Sequence, residues 1–137
     1  LHLARSSRLF PGMDEFLRSM EQRGIRWGVM TNKPSWLTNP LMDELDLGSR
    51  AACCISADEV AKAKPAPDGL LKCCELLGVT VADCIYVGDD KRDVDAARNC
   101  GMRSIAADWG YLGAEGPIEG WNADWIARVP AQLAEKI

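Results

Sequence analysis

Ten residues, Cys84-Ile85-Tyr86-Val87-Gly88-Asp89-Asp90-Lys91-Arg92-Asp93, constrain the fold of this chain more than any other stretch. Cys84 to Val87 are apolar or aromatic and uncharged, and they read as a buried strand. Gly88 allows a tight turn where that strand ends. Three carboxylates follow within five residues, Asp89, Asp90 and Asp93. In open α/β sheets the carboxyl ends of the strands are where ligands bind. Carboxylates crowded at such an end repel one another, and a divalent cation relieves the repulsion. Oxygen-only ligands favour Mg²⁺ over zinc. The competing reading makes Asp90 or Asp93 a cap or a first-turn charge on the next helix.

The same alternation runs along the chain. Phe10-Pro11-Gly12 is a turn. Met13, Phe16, Leu17 and Met20 recur at helical spacing and predict a helix that ends at Gly24. A strand is predicted over 25–30, ending at Thr31-Asn32-Lys33-Pro34. Helices are predicted over 35–47, bent by Pro40, and over 69–77 and 93–100. Further strands are predicted over 51–56 and 103–107. The stretch 109–125 reads as an irregular loop whose tryptophans, Trp109, Trp121 and Trp125, cover the end of the sheet. Pro130 opens a terminal helix over 129–137. Strands alternating with helices argue for βαβ units and a parallel sheet covered on both faces.

A chain of 137 residues suits one domain with a real core. A net charge of −4 gives no electrostatic footprint for nucleic acid or an anionic membrane. No apolar run has the length of a membrane span. Leu1 to Phe10 carries two arginines and no apolar centre, so it does not read as a signal peptide. The six cysteines fall as Cys53-Cys54, Cys73-Cys74, Cys84 and Cys100, and the sole histidine is His2. That spacing offers neither a zinc site nor a disulfide framework. The cysteines read as small buried hydrophobes in a reducing cytoplasm.

Three loops should meet at the carboxyl edge of the sheet. Thr31 and Asn32 follow a strand directly and, with the amides of a helix start, form a phosphate cradle. Lys64 is held between Ala63 and Pro65, and the proline biases it toward an extended backbone. A fixed ammonium neutralises a phosphoryl group and an adjacent carboxylate. Lys62 is a nearby decoy. The third loop carries Asp89, Asp90 and Asp93. Receiver domains of two-component signalling use similar residues, but there the acids come first in the chain and the lysine last. Here the threonine leads and the acids close.

On these segments the sequence resembles the haloacid dehalogenase-like phosphatases, and within them the phosphoglycolate phosphatase group. The matching stretches are Phe10-Pro11-Gly12, Gly28 to Pro34, Lys64 to Asp68, Tyr86 to Asp93 with Ala96 to Met102, and Gly110-Tyr111. The resemblance implies a three-layer α/β/α Rossmann-like core with a parallel sheet. It also implies a cytoplasmic, Mg²⁺-dependent hydrolase of small phosphorylated metabolites that works through an aspartyl-phosphate. By resemblance Thr31 and Asn32 bind the transferring phosphoryl group, and Lys64 holds both nucleophile and phosphate. Asp89 is the principal metal ligand. Asp93 anchors the coordination shell, and Asp90 contributes through its backbone or side chain. Neither nucleic acid nor membrane is expected as a partner.

The sequence also departs from the family. The nucleophile motif, Asp-x-Asp-Gly after an N-terminal strand, is absent. The one Asp-x-Asp, Asp93-Val94-Asp95, lies within a predicted helix. Residues 1–7 resemble the last helix of a cap domain, and 8–137 the C-terminal part of the catalytic core. By resemblance the missing strand is central, between those ending at Thr31 and Val87, and its loss leaves an open groove with unpaired backbone. The chain is therefore expected to be an inactive part of a longer enzyme. A phosphatase for N-acetylmuramate 6-phosphate and a non-catalytic phosphate-binding module are the alternative readings.

Overall fold

A computed structural model describes residues 4–5, 8–9, 11–109 and 116–137. The strands are β1 (Ala4–Arg5), β2 (Arg8–Leu9), β3 (Val29–Thr31), β4 (Cys54–Ser56), β5 (Ile85–Gly88), β6 (Arg103–Ala107) and β7 (Trp125–Ala127). The helices are α1 (Met13–Gln22), α2 (Ser35–Glu44), α3 (Asp68–Leu77) and α4 (Lys91–Cys100). Short 3₁₀ turns cover Ile118–Trp121 and Pro130–Glu135, among others.

The parallel strands fall into two groups. β3 pairs with β4, with Thr31 opposite Ser56. β5, β6 and β7 form the other group in that order, with Gly88 opposite Ala106 and Ala107 opposite Ala127. Among the described residues no ladder joins β3 to β5. Between the two edges lies an apolar groove of about 470 Å³, lined by Met20, Val29, Leu70, Tyr86, Val87 and Asp89 among others.

Helices cover both faces. On one side α1 turns Met13, Phe16, Leu17 and Met20 inward, and Met42, Val29, Ile105, Ala127 and Leu133 share that core. Each such side chain contributes roughly 1.5–3 kcal/mol when fully buried. On the other side Leu70 and Cys74 of α3 and Ala96 and Ala97 of α4 pack on Met30, Ile55 and Tyr86. The result is a three-layer α/β/α fold.

Several boundaries differ from the sequence reading. Instead of the end of a helix over 1–7, Ala4–Arg5 are extended and pair antiparallel with Arg8–Leu9. The rest of that segment, and Gly110-Tyr111, lie outside the described residues. The expected loop over 109–125 contains a 3₁₀ turn and leads into β7, whose three residues are too few to show an alternation. The terminal helix is a 3₁₀ turn, anchored in the core by Pro130 and Leu133. α4 starts at Lys91 rather than Asp93, because Asp90 caps it. The tryptophans do cover the sheet: Trp121 is buried against Val94 and Ala106, and Trp109 and Trp125 pack on the α1 side.

Candidate active site

β3, β4 and β5 are parallel or lie in parallel groups, so the loops after them gather at one edge. The centre of that edge is the ion pair between Lys64 Nζ and Asp93 Oδ1, with both side chains almost wholly buried. Lys64 is thus unlike the exposed Lys62 two residues earlier. Tyr86 completes the centre. Its hydroxyl accepts a hydrogen bond from Lys64 Nζ (3.0 Å) and lies 2.9 Å from the Met30 carbonyl and 3.3 Å from Asp93 Oδ1. Burial, and then the Asp93 charge, push the Tyr86 phenol well above its ordinary pKa, so it stays protonated. One residue from β3, one from β5, one from α4 and one from the loop after β4 therefore meet at the Tyr86 oxygen.

Asp93 also organises the start of α4. Its Oδ2 accepts from the backbone amides of Asp89 (3.1 Å) and Asp90 (3.2 Å). Asp90 accepts from the Arg92 amide (2.9 Å) and pairs with the Arg92 guanidinium. The two aspartates form a reciprocal capping box. Gly88 is required here by close approach: a Cβ on it would lie 2.2 Å from Asp93 Cβ. Asp89, the next residue, is buried and lines the groove.

Asn32 and Lys64 are joined reciprocally. The Lys64 amide donates to Asn32 Oδ1 (3.0 Å), and Asn32 Nδ2 donates to the Lys64 carbonyl (3.2 Å). Asn32 thus fixes the lysine loop through its backbone. Thr31 is buried at the end of β3, and its Oγ1 accepts from the Lys33 amide (3.1 Å). That bond leaves the hydroxyl proton able to donate to an anion. Neither residue caps α2, whose N-cap is Pro34.

The structure brings Thr31, Asn32, Lys64, Asp89, Asp90 and Asp93 to one edge. The sequence marks Tyr86 only as a strand residue, although a hydroxyl inside an otherwise apolar strand is a signal that could have found it. Asp93 and Asp90 cap the helix and pair with charges, and of the three aspartates Asp89 lines the groove. Among the described residues no group of three histidine, cysteine or carboxylate side chains is placed to hold a metal ion. The donors present do not by themselves fit a resident Mg²⁺.

Fold and site define a Rossmann-like α/β core with a buried lysine–aspartate pair at the carboxyl edge of its parallel strands. The family profile described as haloacid dehalogenase-like hydrolase matches residues 2–107, and the chain belongs to that family. It is 42% identical over 134 residues to a phosphoglycolate phosphatase of Xanthomonas campestris pv. campestris (strain 8004), covering 97% of this chain and 60% of the relative. It is 38% identical over 131 residues to an N-acetylmuramic acid 6-phosphate phosphatase of Pseudomonas putida, covering 96% and 59%. The crystal structure of a predicted phosphoglycolate phosphatase from Haemophilus somnus superposes with a TM-score of 0.88 at 25% identity, covering 94% of this chain and 57% of that one. The chain therefore spans about three-fifths of the curated relatives it matches.

Proposed function

We propose that this chain is the C-terminal part of the catalytic core of a longer phosphate monoester hydrolase, with residues 8–137 as its core portion. The observation that carries this reading is the buried Lys64–Asp93–Tyr86 centre beside Thr31 and Asp89, at an apolar groove between two strand groups that no ladder joins among the described residues. The groove receives an apolar parallel strand from the rest of the polypeptide, and that strand brings the nucleophilic aspartate. Each of the two strand groups is internally parallel, and most of the groove lining is core-type apolar side chain.

In the assembled enzyme Lys64 holds its ammonium toward the nucleophile and the phosphoryl oxygens, oriented by Asp93 and by the protonated Tyr86 hydroxyl. Thr31 donates its hydroxyl proton to a phosphoryl oxygen. Asn32 keeps Lys64 in register with Thr31. Asp89 and Asp93, with Asp90 through its backbone or side chain, would hold a Mg²⁺ once the incoming strand completes the donor set. A cation held there would supply charge neutralisation on the phosphoryl oxygens. The first substrate reading is phosphoglycolate. The Pseudomonas putida relative supports N-acetylmuramate 6-phosphate as the second. A cytoplasmic setting fits six cysteines that are all free thiols. With a net charge of −4, neither nucleic acid nor an anionic membrane is proposed as a partner.

The test is a phosphatase screen of the longer protein with Mg²⁺ over glycolate, sugar and amino-sugar phosphates, beside the 137-residue chain alone. The longer protein should turn over one class, and Lys64→Met should abolish it. Turnover by the 137-residue chain alone, or a longer sequence without Asp-x-Asp, would overturn the reading.

A further inference from the structure

We propose that Cys74 and Cys84 form a disulfide-competent thiol pair, a modification site on the wall of the groove and separate from the phosphate-handling edge. Cys74 lies on α3 and Cys84 immediately precedes β5, and their sulfurs are 3.9 Å apart. A disulfide requires about 2.05 Å, so the two sulfurs need to close by just under 2 Å. Both thiols line the groove, Cys74 buried and Cys84 half-buried. Two further thiols, Cys53 and Cys73, line the same cavity. Of the adjacent Cys73-Cys74 on α3, Cys74 faces Cys84, just before β5, and Cys73 shares the cavity wall with Cys53, just before β4.

The oxidant class is a hydroperoxide. The sulfur of Cys84, the more exposed of the pair, attacks a peroxide oxygen. The O–O bond breaks, and the departing hydroxide leaves as water with the Cys84 proton. Cys84 is now a sulfenic acid. The Cys74 sulfur then attacks the Cys84 sulfur and displaces hydroxide, which takes the Cys74 proton as a second water. Two thiols and one H₂O₂ become one disulfide and two waters. Burial holds the Cys74 thiol up at about 11, which suits it to resolve the sulfenic acid rather than to react first. Cys84 and Tyr86 point to the same side of the strand. A bridge to α3 therefore acts on the strand that presents the Tyr86 hydroxyl to Lys64.

The experiment treats the reduced 137-residue chain with hydrogen peroxide, blocks the remaining thiols by alkylation and reads the intact mass. Cleavage after Glu75 and Asp83 then separates Cys73-Cys74 from Cys84. The expected result is loss of two hydrogens, reversal by dithiothreitol, and a linked peptide pair joining Cys74 to Cys84. Cys84→Ser should abolish that link, and Cys100→Ser should keep it. The proposal fails if the link joins Cys53 to Cys73, if Cys84→Ser retains the same yield, or if peroxide yields only unlinked oxidised cysteines. The mapping is made on the unsubstituted chain, so its outcome does not depend on the folding of any variant.

Discussion

Removing one member of the buried Lys64–Asp93 pair tests how the site is held together. Both side chains are almost wholly shielded. Lys64→Met keeps most of the lysine stem but takes the ammonium away from the Asp93 carboxylate, which keeps its contacts to Tyr86 and to the amides of Asp89 and Asp90. Breaking one side of a buried pair costs about 3–5 kcal/mol. With a urea slope of about 2 kcal/mol per molar, the unfolding midpoint should fall by roughly 2 M. Asp93→Leu should cost at least as much, because it also orphans two amides, at about 1–3 kcal/mol each when left buried. In the double variant neither charge of the pair remains. Its loss should therefore be smaller than the sum of the single losses by about 2–3 kcal/mol. Tryptophan fluorescence during urea unfolding provides the assay, since Trp27 and Trp121 are buried. Losses that add to within about 0.5 kcal/mol would refute this reasoning, because the two charges would then not be sensing each other.

Three further outcomes follow from the geometry. Gly88→Ala should push α4 away from β5 and cost several times what Gly120→Ala costs in the same urea assay, because a Cβ at Gly120 meets nothing within 4 Å. Tyr86→Phe should lower stability by about 1–3 kcal/mol, the cost of leaving buried partners unsatisfied, and alkaline titration of the unsubstituted chain should leave Tyr86 protonated until it unfolds. Arg50 holds the carboxyls of Asp14, together with Arg18, and of Glu21 below their ordinary values. Their support is complete above the unfolded-state pKa values and is lost as pH falls through the lower folded ones. The urea midpoint should therefore drop below about pH 4, and Arg50→Ala should flatten that drop.

Much of the site is legible in the sequence because its residues sit at element ends, where local signals are strongest. The order threonine, lysine, acids along successive strand ends carries the reading, and the structure gathers them at one edge. What the acids do there is less legible. Asp90 and Asp93 satisfy both the metal-ligand reading and the capping reading, and only contact geometry shows the capping box and the Lys64 pair. Asn32 reads as a phosphate ligand in the sequence, and its amide is also matched to the Lys64 backbone, a partner 32 residues away that no local pattern reveals. β7 escapes sequence reading because three residues carry no period, and its strand identity comes from pairing with β6. The separation of the strands into two groups is anticipated only through the family resemblance, since composition and periodicity say nothing about strand order.

That separation has a consequence for the chain in solution. The facing edges of β3 and β5 carry no charged residue and no proline, the usual devices that keep a strand edge from recruiting another chain. Among the described residues neither edge is paired by a strand on the groove side, and the floor between them is apolar. As the chain is concentrated, a strand of a neighbouring molecule becomes the most available filler. Self-association, rather than unfolding, should then set the upper limit on how concentrated the isolated chain can be kept.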